Sequence, residues 1–319
     1  IETWWPFPDE GWSAIIGMID TGIGFQNTAN YHEDLDVVPL TQTDRNNLNV
    51  HPNHPWCLSH GTAMSGLAAA RTNNDLGIAG VCSSCRVLNI ESSDCSDDQC
   101  TAHDESQACE IIMSSRWPQS LDYACSHFLV DGLRTVLLSA GSLGDTSYHA
   151  PPDQIAALWN AYVQGVNTVV PSGDTSYDER KRLPVGSLPF VVGTGGHVHD
   201  GRFWEPPTSC YNVPGQGTSV GIGVDICGPA CPEVVTTIPH LLDEPVPPDY
   251  VPVDLLGPYY YTRSMCSGAA AITAGALGYL HTYARWYCGG FPTQDDLLGI
   301  LFASARPFTA DPLLTTLCT

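Results

Sequence analysis

Two residues open the chemical reading of the chain. Asp20 closes the apolar run Ile15-Ile16-Gly17-Met18-Ile19 and is followed by Thr21-Gly22. A strand of that kind delivers a carboxylate to the carboxyl edge of a parallel sheet, where the ligand clefts of open α/β sheets lie. Downstream, His60 opens a stretch of small residues, Gly61-Thr62-Ala63-Met64-Ser65-Gly66-Leu67-Ala68-Ala69-Ala70. A lone histidine at the start of a helix is more often a solvent-facing side chain than a base. With a carboxylate upstream, it reads as a base and the acid that orients it, the pair that activates a hydroxyl nucleophile. The sequence Asp20-Thr21-Gly22 also suits chemistry between two carboxylates, but that needs a second Asp-Thr/Ser-Gly for the partner acid. Both later Asp-Thr pairs read Gly-Asp-Thr-Ser, at 144–147 and 173–176.

The elements that must position these groups alternate along the chain. Ala14 to Ile19, Arg86 to Ile90, Thr135 to Leu138 and Thr168 to Val170 read as buried strands; His60 to Arg71 and Asp153 to Gln164 read as helices, the second stopped by Gly165. Such alternation predicts an α/β fold, a mainly parallel sheet with helices on both faces. No break in composition divides the chain, so 1–319 is expected to be one domain. The Pro-rich stretch at about 239–258 is read as its long surface loop. The pentapeptide Gly-Asp-Thr-Ser-Tyr occurs at 144–148 and 173–177, each copy after an apolar strand, which suggests two equivalent strand exits.

Composition narrows the class. The 319 residues carry 12 Lys+Arg against 34 Asp+Glu, a net charge of −22, yet only 14 % are charged. A basic nucleic-acid face is excluded, because the cations are few and scattered apart from Arg180-Lys181-Arg182. With 43 % hydrophobic residues, disorder is excluded as well. The longest uncharged apolar run, Gly268 to Leu280, is too short to span a bilayer. Thirteen cysteines, several at short spacings such as Cys82/Cys85, Cys95/Cys100 and Cys227/Cys231, point to disulfides and an oxidising compartment. The chain begins at Ile1, so a secreted protein whose export signal has been removed is expected.

At these residues the chain resembles the subtilisin-like serine proteases. Asp20-Thr21-Gly22 with His32-Glu33-Asp34-Leu35 is similar to the family's D-T-G and H-P-D-L. His60-Gly61-Thr62 with Asn73-Asn74-Asp75-Leu76-Gly77-Ile78-Ala79-Gly80-Val81 resembles its H-G-T helix and N-N-x-x-G-x-x-G-V segment. Val224-Asp225-Ile226 with Gly228-Pro229 resembles V-D-I-x-A-P-G. The order Asp, His, Ser is that of subtilisin. Gly217-Thr218-Ser219 imitates the family's G-T-S but runs on into the Val224-Asp225-Ile226 strand. A nucleophile must instead begin a helix, whose dipole and first N–H groups support an oxyanion. Ser264-Met265-Cys266-Ser267-Gly268-Ala269-Ala270-Ala271 meets that need and resembles S-M-A-x-P-x-V-A-G. Ser264 is therefore the preferred nucleophile, ahead of Ser267 and Ser219.

The chain departs from the pattern around this serine. Thr262-Arg263 stands where the family has Gly-Thr, before a tight turn, and Gly268 stands where it has Pro. Val169-Val170-Pro171-Ser172-Gly173-Asp174 resembles A-A-G-N and places Asp174 at the oxyanion-hole asparagine. An ionised Asp cannot donate a hydrogen bond, whereas a protonated one can, so the substitution implies work in acid or a carboxyl raised by burial. A loop shift that leaves Asp174 as a solvated turn residue is the alternative. The resemblance puts the substrate-binding strand edge on Ser139-Ala140-Gly141, or on Ser142-Leu143-Gly144, and the far wall of the first specificity pocket on Pro171-Ser172-Gly173. An extended peptide would pair with these edges.

The resemblance thus implies a secreted serine endopeptidase with Asp20, His60 and Ser264 as triad and Asp174 as oxyanion donor. The rivals are a weak or inactive scaffold that binds a peptide partner, and a peptidyl transferase or cyclase that passes the same acyl-enzyme to an amine. The partners expected are a peptide or protein substrate and a removed propeptide, with no nucleic acid and no membrane. Catalysis requires no cofactor. Structural calcium is common in the family, and Asp94, Asp97 and Asp98 or Asp178 and Glu179 supply oxygen ligands for it, although a solvated acidic loop is the preferred reading. Cys288 and Cys318 are expected to staple the C-terminal segment, with Cys266 left outside the disulfide framework.

Overall fold

A computed structural model describes residues 13–27, 30–38, 59–92, 108–127, 132–139, 150–173, 185–198, 224–231, 234–237, 251–252, 260–263, 266–290 and 292–305. In chain order the strands are β1 (Ile15–Asp20), β2 (Phe25–Asn27), β3 (Asn30–Tyr31), β4 (Val37–Val38), β5 (Arg86–Glu91), β6 (Leu133–Leu138), β7 (Asn167–Pro171), β8 (Val192–Val198), β9 (Ile226–Cys231), β10 (Val234–Thr237), β11 (Val251–Pro252) and β12 (Tyr260–Arg263). The helices are α1 (Ser59–Ala69), α2 (Ala108–Ser126), α3 (Pro152–Val163), α4 (Cys266–Cys288) and α5 (Gln294–Ser304). Seven strands form one sheet in the order β4-β5-β1-β6-β7-β8-β9, and every pairing in it is parallel.

The inner strands are buried from end to end because helices cover both faces. Alternation along β1 sorts its side chains. Ile16 and Met18 join Ala68, Ala271 and Leu277 from α1 and α4, whereas Ile15 and Ile19 join Trp117, Leu121 and Leu158 from α2 and α3. The first face is packed by small residues. A Cβ on Gly275 would stand 2.7 Å from the Ala68 carbonyl and 2.9 Å from Val81 Cβ, so α4 crosses α1 at a separation only glycine permits. The expected α/β architecture is therefore the one observed.

Cys82 and Cys85 form the expected disulfide, with Cα atoms 5.3 Å apart, while other expectations are revised. Cys227 and Cys231 do not share a short loop, because both lie on the extended strand β9. Four residues of strand span about 13 Å, beyond the roughly 7 Å a disulfide tolerates. Cys95 and Cys100 lie outside the described residues. Cys288 ends α4 as an exposed free thiol, and Cys318, its expected partner, lies outside the described residues. Apolar docking holds this region, since Leu297 and Leu301 of α5 are buried in the same core as Leu277. Thr262 and Arg263 lie within β12, paired with Val235 and Val234. An extended backbone suits them without glycine. Most of the Pro-rich stretch lies outside the described residues, but Val251–Pro252 within it pairs with β12.

Candidate active site

The site begins where β1 leaves the sheet. Asp20 is its last residue and is 1 % exposed, and His60 on the first turn of α1 is 18 % exposed. His60 Nδ1 lies 2.8 Å from Asp20 Oδ1 and 3.0 Å from Oδ2. Burial alone would raise the Asp20 carboxyl. The charge and hydrogen bond of His60, the Thr21 N–H and the Ser139 hydroxyl override it and hold the carboxyl below its ordinary value of 3.8. Asp20 is therefore ionised, and an ionised carboxylate only accepts hydrogen bonds. The Nδ1 proton consequently belongs to His60, and the neutral ring's lone pair is on Nε2.

The residues around this pair interlock. The Thr21 amide donates to Asp20 Oδ1 over 2.6 Å, and the Gly61 amide donates to the Thr21 hydroxyl over 3.0 Å. The Thr62 hydroxyl accepts from the Gly24 amide over 2.8 Å. Gly22 has φ 103°, which an L side chain rarely adopts. A Cβ on Gly61 would collide with the Gly22 carbonyl oxygen. Each residue of Asp20-Thr21-Gly22 and His60-Gly61-Thr62 thus meets a partner in the other triplet or the turn beside it. From the far side, the Thr237 hydroxyl donates to the Thr62 carbonyl over 2.7 Å and the Thr236 hydroxyl to the Ala63 carbonyl, so β10 buttresses α1. The flanking segments are organised by buried Asp34, which accepts from the Asn74 side chain over 2.7 Å and the Ile78 amide over 3.1 Å.

The other sequence-derived candidates fall at the same edge or outside the described residues. Ser139 directly follows β6, and its amide donates to the Ile19 carbonyl over 3.1 Å. Pro171 ends β7, the next strand out; the Ser172 amide donates to Thr194 O over 2.8 Å, and Gly173 has φ 96°. The strand order β1-β6-β7 lines up Asp20, Ser139 and Pro171-Ser172-Gly173 along the carboxyl edge. The two strands that precede the pentapeptide copies are these neighbours, β6 and β7. Ala140, Gly141, Asp174 and Ser264 lie outside the described residues, as do Ser219 and the two acidic clusters considered for calcium. Helix α4 begins at Cys266, immediately after the stretch that holds Ser264. Among the described residues, no group of three or more His, Cys, Asp or Glu is placed to hold a metal ion, and no helix is long and apolar enough to cross a membrane.

Some participants escaped the sequence reading. Glu91 ends β5 in register with Asp20 and is buried beside it; its place at the end of an apolar run was the available signal. The Thr236 and Thr237 hydroxyls gave no local signal, because their partners are distant in sequence.

The model of the Subtilase family matches residues 11–189, a stretch that carries Asp20 and His60. A search of the curated proteins by sequence finds no match. Among solved structures, a lanthipeptide protease aligns with a TM-score of 0.66 at 16 % identity, covering 94 % of this chain and 81 % of its own. A mutant of the protease domain of PatA aligns with a TM-score of 0.64 at 16 % identity, covering 93 % and 88 %. Both likenesses are of fold.

Proposed function

This chain belongs to the subtilase family, and we propose that it is a secreted serine endopeptidase using Asp20, His60 and Ser264. The observation that carries the reading is the Asp20–His60 pair at the carboxyl edge, with Asp20 buried and His60 bound through Nδ1. In this scheme His60 Nε2 takes the proton of Ser264 as its oxygen attacks the scissile carbonyl, then passes it to the departing amine. Asp20 holds the ring in the tautomer that can do so and stabilises the imidazolium between the steps. Asp174, protonated, donates to the oxyanion. Water then takes the place of the amine, and the acyl-enzyme is hydrolysed. The substrate is a peptide or protein in extended form, paired with the edges at Ser139-Ala140-Gly141 and Pro171-Ser172-Gly173. The Cys82–Cys85 disulfide supports secretion.

The test incubates the protein with a general protein substrate and a serine-directed phosphonate. Labelling with hydrolysis, both lost in Ser264→Ala and retained in Ser219→Ala, is the expected result. Labelling with ligated product would make the chain a peptidyl transferase. A folded protein that is never labelled would be a binding scaffold.

A further inference from the structure

The first residue of α4 carries a buried thiol whose contacts reach across to β7. Cys266 is 0 % exposed and outside any disulfide. Its Sγ–H donates to the Gly173 carbonyl over 3.2 Å, and the Ser172 hydroxyl donates back to Sγ over 3.9 Å. Both partners belong to the turn that leaves the sheet after β7. The Ser172 amide anchors the start of that turn on Thr194 of β8, and Gly173 occupies the left-handed region with φ 96°.

The geometry points to Cys266 as a positioning residue for the oxyanion donor. A peptide unit is planar, so the Gly173 carbonyl and the Asp174 amide share one rigid plane. Whatever holds the Gly173 oxygen sets the direction in which the chain enters Asp174. The left-handed Gly173 would otherwise leave that plane weakly determined, since glycine has the widest backbone freedom of any residue. Cys266 makes the same link at its other end, because it follows Ser264 and Met265 directly in the chain. One side chain therefore ties the start of the nucleophile's helix to the plane that leads into the oxyanion residue. A methyl group at this position could fill space but could not donate. The inference rests on the proposed roles of Ser264 and Asp174.

The experiment compares the parent protein with Cys266→Ala, which removes the donor, and Cys266→Ser, which keeps one at a shorter reach. Misplacement on the ångström scale costs up to about 100-fold in rate, and a thiol is a weak donor. The expected loss in Cys266→Ala is about 10-fold in kcat, with KM within about 2-fold, and Cys266→Ser recovers most of it. Phosphonate labelling should remain stoichiometric. Hydrogen exchange over residues 172–176, which needs no activity, should quicken in the Ala variant and return toward the parent in the Ser variant. An unchanged kcat with unchanged exchange would overturn the proposal, as would equal losses in both variants or a loss confined to KM. A parent that is never labelled but shows the exchange pattern would sink the protease reading and leave the positioning contact standing.

Discussion

Two buried-side histidines of this protein have been given opposite characters by their surroundings. His60 sits at the carboxyl edge of the sheet, partly open, with an ionised carboxylate on Nδ1. His281 lies on α4, 3 % exposed, and neither ring nitrogen has a hydrogen-bond partner among the described residues. Burial, reinforced by the charge of Arg134, pushes His281 down to about 3. Arg134 is itself lowered, by burial and by Arg285. One imidazole is therefore equipped to exchange protons, and the other is kept neutral through the physiological range. Burial by itself does not make a histidine into a base. A buried acid beside a partly open ring does.

The contrast is broken most severely at Asp20. Asp20→Asn should place an amide donor against Nδ1, drive the ring proton to Nε2 and lower kcat by about 10⁴-fold. Steady-state kinetics on a protein shown to be folded by circular dichroism checks this, and a loss below 10-fold would mean that His60 does not depend on its acid. Gly61→Ala should come next. Its Cβ meets the Gly22 carbonyl, so the start of α1 must shift His60 from Asp20, with a fall of about 100-fold in kcat/KM and a lower Tm. Normal kinetics in that variant would show that the interlock is looser than the contact implies.

Asp174→Asn sharpens the comparison from the acceptor side. The ordinary values of Asp, about 3.9, and His, about 6.5, leave no pH at which the first is protonated and the second fully neutral. The parent's activity should therefore lie on the acid side, with an alkaline limb that tracks Asp174. The amide donates at any pH, so the variant should extend activity upward by about 100-fold where Asp174 is ionised. An alkaline limb that stays in place would remove Asp174 from the oxyanion site.

The smallest effect belongs to His281. Its folded value of about 3 lies below the ordinary 6.5, so between the two the unfolded chain holds a proton that the native state refuses. Stability present at neutral pH is then lost as pH falls through 6.5 toward 3. Between pH 7 and 5.5 the group accounts for about 1 kcal/mol. His281→Leu should flatten that part of the stability curve while leaving kcat within about 2-fold, measured by urea denaturation at both pH values. An identical acid loss in the variant would show that His281 does not titrate as its burial requires.

Much of the fold was legible because it follows from local pattern. Short runs rich in Val, Ile and Leu marked β1, β5, β6 and β7, and the stretch after His60 was plainly a helix meant for close packing. Helix α2 was not legible, since Pro118 interrupts it and no clean period surrounds it. The sheet of β10, β12 and β11 was hidden because its strands are short, lie within or on either side of the Pro-rich stretch, and pair across long intervals. Cys227 and Cys231 illustrate the opposite error. Their spacing suggested a disulfide, but the chain between them is extended, and spacing in sequence carries no distance until the backbone conformation is known.

By itself, the sequence determined that Asp20 would stand at a strand end, that His60 would open a small-residue helix, and that the chain would form an α/β fold. These depend on side-chain periodicity and on glycine and alanine placed where elements must approach. Only the tertiary structure decided that Asp20 and His60 share a hydrogen bond, that His281 is silenced, and that the Cys266 thiol reaches Gly173. Each of those is a contact between residues far apart in the chain, and its energy depends on distance, burial and neighbouring charge. Such quantities come into being only when the sheet and its helices have closed around the groups.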